Sequence, residues 1–202
     1  MTLRIIGGVF RNRPLLAPKG GNTRPTLAIM RKAVFDILQN AIQDARFLDL
    51  FAGSGLMGLE ALSRGAQHVI FVENNCAAAC CIKENVHLLK LDAQAEIVSL
   101  DAMDALVKCT KRKRFFDVIY VDPPYILSKT TSILQEVLLF VDAHNLLAPQ
   151  GILFIETAKS GGFSPTSIAL THLHWVNTRK FSDSLLHQYR VQETGNLLTE
   201  RD

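Results

Sequence analysis

The residues of this chain with the most chemical content are Asp122, Pro123, Pro124 and Tyr125, which follow the apolar run Val118 to Val121. That run reads as a strand, so the tetrapeptide sits at a strand's carboxyl end, where open α/β sheets bind their ligands. Two successive prolines have fixed φ and no backbone N–H, so the segment cannot continue a ladder and keeps its carbonyls available as acceptors. An exocyclic amine on a nucleobase needs such partners. Its lone pair is delocalised into the ring, and holding both N–H bonds turns the nitrogen toward an incoming methyl group. Tyr125 would offer the base an aromatic face. An ordinary strand-ending turn uses the same residue types, so these four residues leave both readings open.

A second constellation lies earlier. Phe47 to Gly58 reads as a strand, a glycine-rich turn and a helix start, and Gly53, Gly55 and Gly58 complete a G-x-G-x-x-G. Glu73 stands 20 residues past Gly53, at the end of the next apolar run. Glycines let the backbone approach a nucleoside, and a carboxylate at Glu73 would accept from ribose hydroxyls. A nicotinamide enzyme would show the same pattern. Three features favour S-adenosylmethionine. Asp49 is a carboxylate inside an apolar strand and would face the cofactor's cationic amino-acid end. Asp101 and Ala102 end the third strand, where they would recognise an adenine. The fourth strand then ends in the amine-gripping Asp122-Pro123-Pro124-Tyr125. Phe51, Ser54, Asn74 and Thr26 complete the expected cofactor set. For Asp49 and Asp101 the competing roles are helix cap or solvated strand-end carboxylate.

These residues require a scaffold that brings several strand ends together. Downstream of residue 46, short β-rich runs near 47–51, 69–73, 95–100, 117–121 and 151–156 alternate with helical segments at 55–64, 75–90, 102–109 and 130–146. This alternation predicts a Rossmann-like, doubly wound α/β sheet. Leu173 to Lys180 and Leu186 to Glu193, joined by Phe181 to Ser184, predict a terminal antiparallel hairpin, since a parallel return needs a crossover of about a dozen residues or more. Ahead of the sheet, Leu3 to Phe10 and Arg13 to Leu16 predict a short hairpin. Thr26 to Ile42 predicts an amphipathic helix. Residues 1–46 are thus expected to form a basic extension, and 47–202 one methyltransferase-like domain.

Charge supports that division. The chain has 202 residues and a net charge of +3, but residues 1–46 carry +6 and the remainder −3. A basic end on a mildly acidic domain suits a polyanionic partner. Lys111 to Arg114 is a rival basic run, but it precedes the fourth strand and is expected to be a solvated loop at the sheet's amino edge. No apolar run reaches membrane-spanning length, and the first residues lack the pattern of a secretory signal, so a cytoplasmic location is expected. Cys76, Cys80, Cys81 and Cys109 lack the spacing of a zinc site, the histidines form no ligand set, and no metal is expected.

The chain resembles a known family, the bacterial RsmD-like methyltransferases, which modify the guanine N2 of small-subunit (16S) ribosomal RNA. The resemblance runs through Arg4-Ile5-Ile6-Gly7-Gly8, Arg11 and Arg13, Arg24-Pro25-Thr26, Arg31, Asp49 to Gly55, Gly58 to Ala66, Glu73 and Val121 to Tyr125. It implies a class I methyltransferase fold, S-adenosylmethionine as cofactor and N2-methylguanine as product. It also implies a partner in 16S rRNA, within the small subunit or its assembly intermediate, and a monomeric enzyme. Arg4, Arg11, Arg13, Arg24 and Arg31 are the expected RNA backbone contacts. Two departures stand out: Asn12 intervenes between Arg11 and Arg13, and Lys180 to Ser184 replaces the family's glycine turn before its last strand. An adenine-N6 methyltransferase, a nicotinamide oxidoreductase and a non-catalytic RNA-binding or assembly module are the alternatives.

Overall fold

Sheet order decides where a ligand can sit in an alternating α/β chain. The computed structural model of this protein describes residues 3–18, 25–124 and 130–192. Its elements are β1 (Leu3–Arg4), β2 (Pro14–Leu15), α1 (Pro25–Ile37), β3 (Arg46–Leu50), α2 (Leu56–Ser63), β4 (His68–Val72), α3 (Cys76–Leu88), β5 (Ala95–Val98), α4 (Ala102–Lys111), β6 (Phe116–Val121), α5 (Thr130–Ala143), β7 (Leu147–Ala158), β8 (Leu173–Lys180) and β9 (Ser184–Val191). The main sheet has the order β5-β4-β3-β6-β7-β9-β8. Strands β3 to β7 pair in parallel, while β9 runs antiparallel to both β7 and β8. The order reverses between β3 and β6, which opens a crevice at their carboxyl ends. This is the expected Rossmann-like sheet with its antiparallel terminal hairpin.

Strand alternation divides the core into two layers. Phe47, Val118, Tyr120, Ile152 and Phe154 face Met30, Val34 and Phe35 of α1, Leu59 of α2 and Ile82 of α3. Leu48, Ile119, Val121, Leu153 and Ile155 face Leu106 of α4 and Leu134, Val137 and Leu138 of α5. Residues 3–15 join the first layer through Leu3, Ile5 and Leu15.

The N-terminal hairpin sits on the last turns of α2. Ile6 N–H donates to Glu60 (2.8 Å), Phe10 N–H to Ser63 Oγ (3.0 Å), and Ser63 Oγ donates to the Gly7 carbonyl (2.6 Å). Val9 N–H reaches the Ser63 carbonyl at 2.7 Å. Gly8 has φ +76, and a Cβ there would overlap the Ser63 carbonyl, so the second glycine of Arg-Ile-Ile-Gly-Gly is needed for this docking. Asn12 adopts φ 68 and turns the hairpin, as asparagine tolerates the left-handed region.

Several boundaries differ from expectation. Helix α1 ends at Ile37 rather than Ile42, although Leu38 and Ile42 stay buried, because Gln39 to Ala41 turn before the chain enters β3. The two N-terminal strands shrink to two paired residues each. Strand β7 begins at Leu147, four residues early, with a register shift opposite Phe116 to Val118. Strand β9 begins at Ser184, leaving a three-residue turn, Phe181 to Asp183. No described helix is long and apolar enough to cross a membrane.

Candidate active site

The first strand-end loop is built by long-range hydrogen bonds. Beyond β3, Phe51 has φ 69, a conformation that costs a bulky side chain about 1–3 kcal/mol and turns the chain sharply toward α2. Gly53 N–H then donates to Glu73 at 2.7 Å, and Asn75 N–H donates to the other oxygen of Glu73 at 2.8 Å. Glu73 thereby joins the loops after β3 and β4, and each oxygen keeps acceptor capacity for a ribose hydroxyl. Gly55 is the N-cap of α2 and has no side chain to cap it. Asp49 supplies the cap from within β3, accepting from Gly58 N–H at 2.9 Å. A Cβ at Gly58 would overlap the Phe71 ring, so the third glycine sets how closely α2 lies on β4.

Asp49 is therefore both a helix cap and a wall of the cavity. Burial pushes its carboxyl up to about 7, with Glu73 adding to the effect and the Gly58 N–H opposing it. Asp101 likewise caps α4, accepting from Met103 N–H at 3.0 Å, and stays exposed at the cavity rim beside Ala102. For both carboxylates, the capping role and the cavity-lining position coexist.

Asp122, Pro123 and Pro124 extend β6 past Val121, and Asp122 N–H points to the Leu50 carbonyl at 3.4 Å. Thr130 Oγ1 donates to the Pro124 carbonyl at 3.2 Å, which ties the turn to the start of α5. Behind Asp122, Tyr120 OH donates to Glu156 at 2.6 Å. Asp49 and Tyr120 are register partners on β3 and β6, and Val121 pairs with Ile155, so Asp122 comes beside Glu156 of β7. Burial raises the Asp122 carboxyl well above the usual range, and the neighbouring Glu156 and Asp49 raise it further. Burial, then Glu156, does the same to the Tyr120 phenol. Three carboxylates and a phenol thus share one face at the carboxyl edge. Sequence reasoning missed Glu156, although Gly151 to Ile155 followed by a glutamate repeats the apolar-run-then-acid pattern of β6.

These groups surround a cavity of about 930 Å³. Asp49, Phe51, Gly53, Ser54, Glu73, Asn74, Asp101 and Ala102 line one side, with Tyr120, Asp122 and Pro123 on the other. That volume lies at the upper end of the roughly 300–1,000 Å³ of small-molecule sites, enough for a nucleoside cofactor and a base together. Gly55 shapes the turn without lining the cavity. Thr26 lies in the first turn of α1, with its side chain outside the described residues. Tyr125 and Arg24 also fall outside them.

The basic candidates separate. Arg31 is a correction: rather than facing solvent for RNA, it is buried on the cavity wall, with Nε 3.5 Å from Glu60 and NH2 donating to the Arg4 carbonyl at 3.0 Å. Glu60 also holds Arg64 at 2.8 Å, so Arg31 belongs to the ion network that fixes α1 and the hairpin on α2. Arg4, Arg11 and Arg13 are exposed, with Arg4 donating to the Asn12 carbonyl at 2.8 Å. They lie on the hairpin at the C-terminal end of α2, the end opposite the glycine turn. Within Lys111 to Arg114, Arg114 and Arg112 pair with Glu96 at 2.6 and 3.7 Å, away from the cavity. Among the described residues no group of three His, Cys, Asp or Glu is placed to hold a metal ion.

Comparison with known proteins accords with this geometry. The family model described as Conserved hypothetical protein 95 matches residues 3–190. The putative rRNA methyltransferase YlbH of Bacillus subtilis (strain 168) is 37% identical over 154 residues, covering 76% of this chain and 82% of that protein. Ribosomal RNA small subunit methyltransferase D of Escherichia coli (strain K12) is 34% identical over 172 residues, 85% of this chain and 82% of that protein. The solved structure of the putative methyltransferase yhhF from Escherichia coli superposes with a TM-score of 0.79 at 27% identity, covering 95% of this chain and 99% of that one. Matched along nearly its whole length, this chain belongs to the Conserved hypothetical protein 95 family of RsmD-like methyltransferases.

Proposed function

We propose that this protein methylates the exocyclic N2 of a guanine in small-subunit ribosomal RNA, acting as a monomer on the assembled subunit or its assembly intermediate. The observation that carries this reading is the meeting of Asp122 and Pro123 with Asp49, Glu73 and Asp101 in one cavity. It sets an amine-holding turn against a nucleoside-holding one.

S-adenosylmethionine supplies an electrophilic methyl on a sulfonium, so the protein's task is mainly alignment. Asp49 takes the cationic amino-acid end, Glu73 the ribose hydroxyls, and Asp101 with Ala102 the adenine. Asp122 and the Pro123 carbonyl accept the two N–H bonds of the target amine, and Tyr125 stacks on the base. Asp122, with its raised proton affinity, receives the proton that the amine sheds. The target guanine is reached in an unstacked, loop conformation. Residues 1–46 serve as a basic extension whose Arg4, Arg11, Arg13 and Arg24 hold RNA backbone.

The test is transfer of labelled methyl to small subunits lacking the modification, followed by nucleoside analysis. Label should appear in N2-methylguanosine and fall about 10²–10³-fold in Asp122→Ala. Label in N6-methyladenosine, or an undiminished rate in the variant, would overturn the proposal.

A further inference from the structure

The cavity rim is acidic. Asp49, Glu73, Asp101 and Asp122 all line it beside Arg31, and the exposed carboxylate of Asp101 at its mouth disfavours a phosphate chain. Among the described basic residues of the N-terminal segment, Arg11 and Arg13 stand at the far end of α2, and Arg31, which does line the cavity, is already held by Glu60.

Cations reach the carboxyl edge from the opposite flank. Lys159 follows the last residue of β7, and Arg179 and Lys180 end β8 just before its turn into β9. All three are exposed, and among the described residues none of them forms an ion pair. Asp183, exposed in the same turn, is the acidic neighbour, so the tip remains net positive. Arg179 and Lys180 pair with Leu186 and Leu185 of β9, and successive strand residues face opposite sides, so the two cations straddle the sheet edge.

A run of hydrogen bonds links this tip to the turn that ends β6. Lys159 N–H donates to the Asp183 carbonyl at 3.0 Å, which seats the end of β7 on the hairpin turn. Thr131 Oγ1 donates to the Gly161 carbonyl at 2.6 Å, joining the loop after Lys159 to the first turn of α5. Thr130 in that turn reaches the Pro124 carbonyl at 3.2 Å. These bonds tie Asp-Pro-Pro, through the first turn of α5 and the loop after Lys159, to the hairpin turn beside Arg179 and Lys180.

We propose that Lys159, Arg179 and Lys180 form a phosphate-binding ledge that receives the RNA strand flanking the target nucleotide. This rests on the rRNA reading above. Phosphate contacts carry no base information, but they set the register of the strand, and on this ledge they would deliver one nucleotide to the acidic cavity while the backbone stays outside it. The N-terminal arginines would hold a separate part of the particle.

The test compares the full chain with Lys159→Glu/Arg179→Glu/Lys180→Glu, with the neutral Lys159→Gln/Arg179→Gln/Lys180→Gln, and with Arg11→Glu/Arg13→Glu, using unmethylated small subunits as the RNA probe. Both ledge variants should bind the subunits more weakly, at least tenfold for the charge reversal and less for the neutral form. The slope of log affinity against log salt should become shallower by about 2, as expected for three lost single-strand phosphate contacts. S-adenosylmethionine affinity by calorimetry and thermal melting should match the parent. Unchanged subunit affinity and salt slope would overturn the ledge. So would an equal loss of S-adenosylmethionine affinity, which would mean that the cofactor site had been disturbed. A parent protein that neither binds nor methylates the subunits would bring down the rRNA reading itself, a result distinct from a ledge variant that behaves like an active parent.

Discussion

Two buried polar clusters lie on opposite faces of the same sheet, and they handle charge in opposite ways. On the α4 and α5 side, Asp142 accepts from Thr171, His172 and Leu173 N–H at 2.8, 2.8 and 2.7 Å. On the same side of the sheet, further along β9, His187 lies between Thr157 Oγ1 at 3.0 Å and Thr178 Oγ1 at 2.8 Å, against the Phe163 ring. The carboxylate there meets donors, and the imidazole meets hydroxyls that serve as donor or acceptor. On the α1 side, Asp49, Asp122 and Glu156 instead meet one another around Tyr120, and Asp49 and Asp122 open on the cavity. Burial of a charge with its complement is how a fold closes a loop; burial of like charges beside a cavity is how a site holds protons and cations that arrive with a ligand. Mutations in the two clusters should accordingly separate stability from activity.

The largest effect is expected from Asp142→Ala. It strands the buried N–H of Leu173 and the part-buried N–H groups of Thr171 and His172, which fix the loop before β8, at a cost of about 3–5 kcal/mol. For a chain of this size that corresponds to a fall in melting temperature of about 10 °C or more. Methyl transfer by the fraction still folded at low temperature should be close to the parent's. A melting temperature within 2 °C of the parent, in calorimetry, would refute the structural assignment of this cluster.

Glu156→Gln should show the reverse. The amide oxygen still accepts from Tyr120, so the 2.6 Å hydrogen bond has a successor, while one of three clustered negative charges disappears. Melting temperature should hold or rise slightly, as relief of like-charge crowding offsets the changed partner. The proton affinity of Asp122 should fall, moving the acidic limb of the methyl-transfer pH profile to lower pH, with a loss of about 10-fold in maximal rate. A 13C-carboxyl NMR titration of the uncomplexed protein should show the same shift directly. An unmoved Asp122 titration would mean that Glu156 serves Tyr120 alone.

The two clusters also differ in how far sequence could reveal them. The parallel sheet, the glycine turn, Glu73 and Asp-Pro-Pro were legible because periodicity and local chemistry mark strands and their ends. Asp49 was legible as an odd carboxylate, but its bond to Gly58 arises only when α2 folds back on β3. Glu156 gains its role from the register of β7 on β6, and no residue within reach along the chain signals that. Arg31 looked like one basic residue among several, and only the placement of α1 over α2 brings it to Glu60, 29 residues on. Charge counting also located the basic segment without its direction, since docking on the last turns of α2 carries Arg11 and Arg13 away from the glycine turn. The early stop of α1 at Ile37 is a tertiary effect of the same kind, because buried Leu38 and Ile42 continue the apolar spacing through a turn.

The smallest effect, and the most direct separation of the clusters, is pH linkage. Asp49 titrates at about 7 in the folded protein against 3.8 for a free carboxyl, so the folded state binds the proton more tightly. Its contribution to stability is therefore full at low pH and declines as pH rises from about 4 to 7. His187 runs the other way: burial lowers it from 6.5 to about 4, so its contribution is full above 6.5 and is lost as pH falls toward 4. Of these two groups, only Asp49 changes charge appreciably between pH 6 and 8. If its carboxylate receives the cationic end of S-adenosylmethionine, binding must release a proton, and affinity must rise about tenfold from pH 6 to 8 before levelling. Calorimetry in two buffers of different ionisation enthalpy measures that proton, and Asp49→Asn should abolish both the release and the slope. A pH-independent affinity in the parent would leave Asp49 as the cap of α2 alone, and the like-charge cluster would then act on the target amine but not on the cofactor.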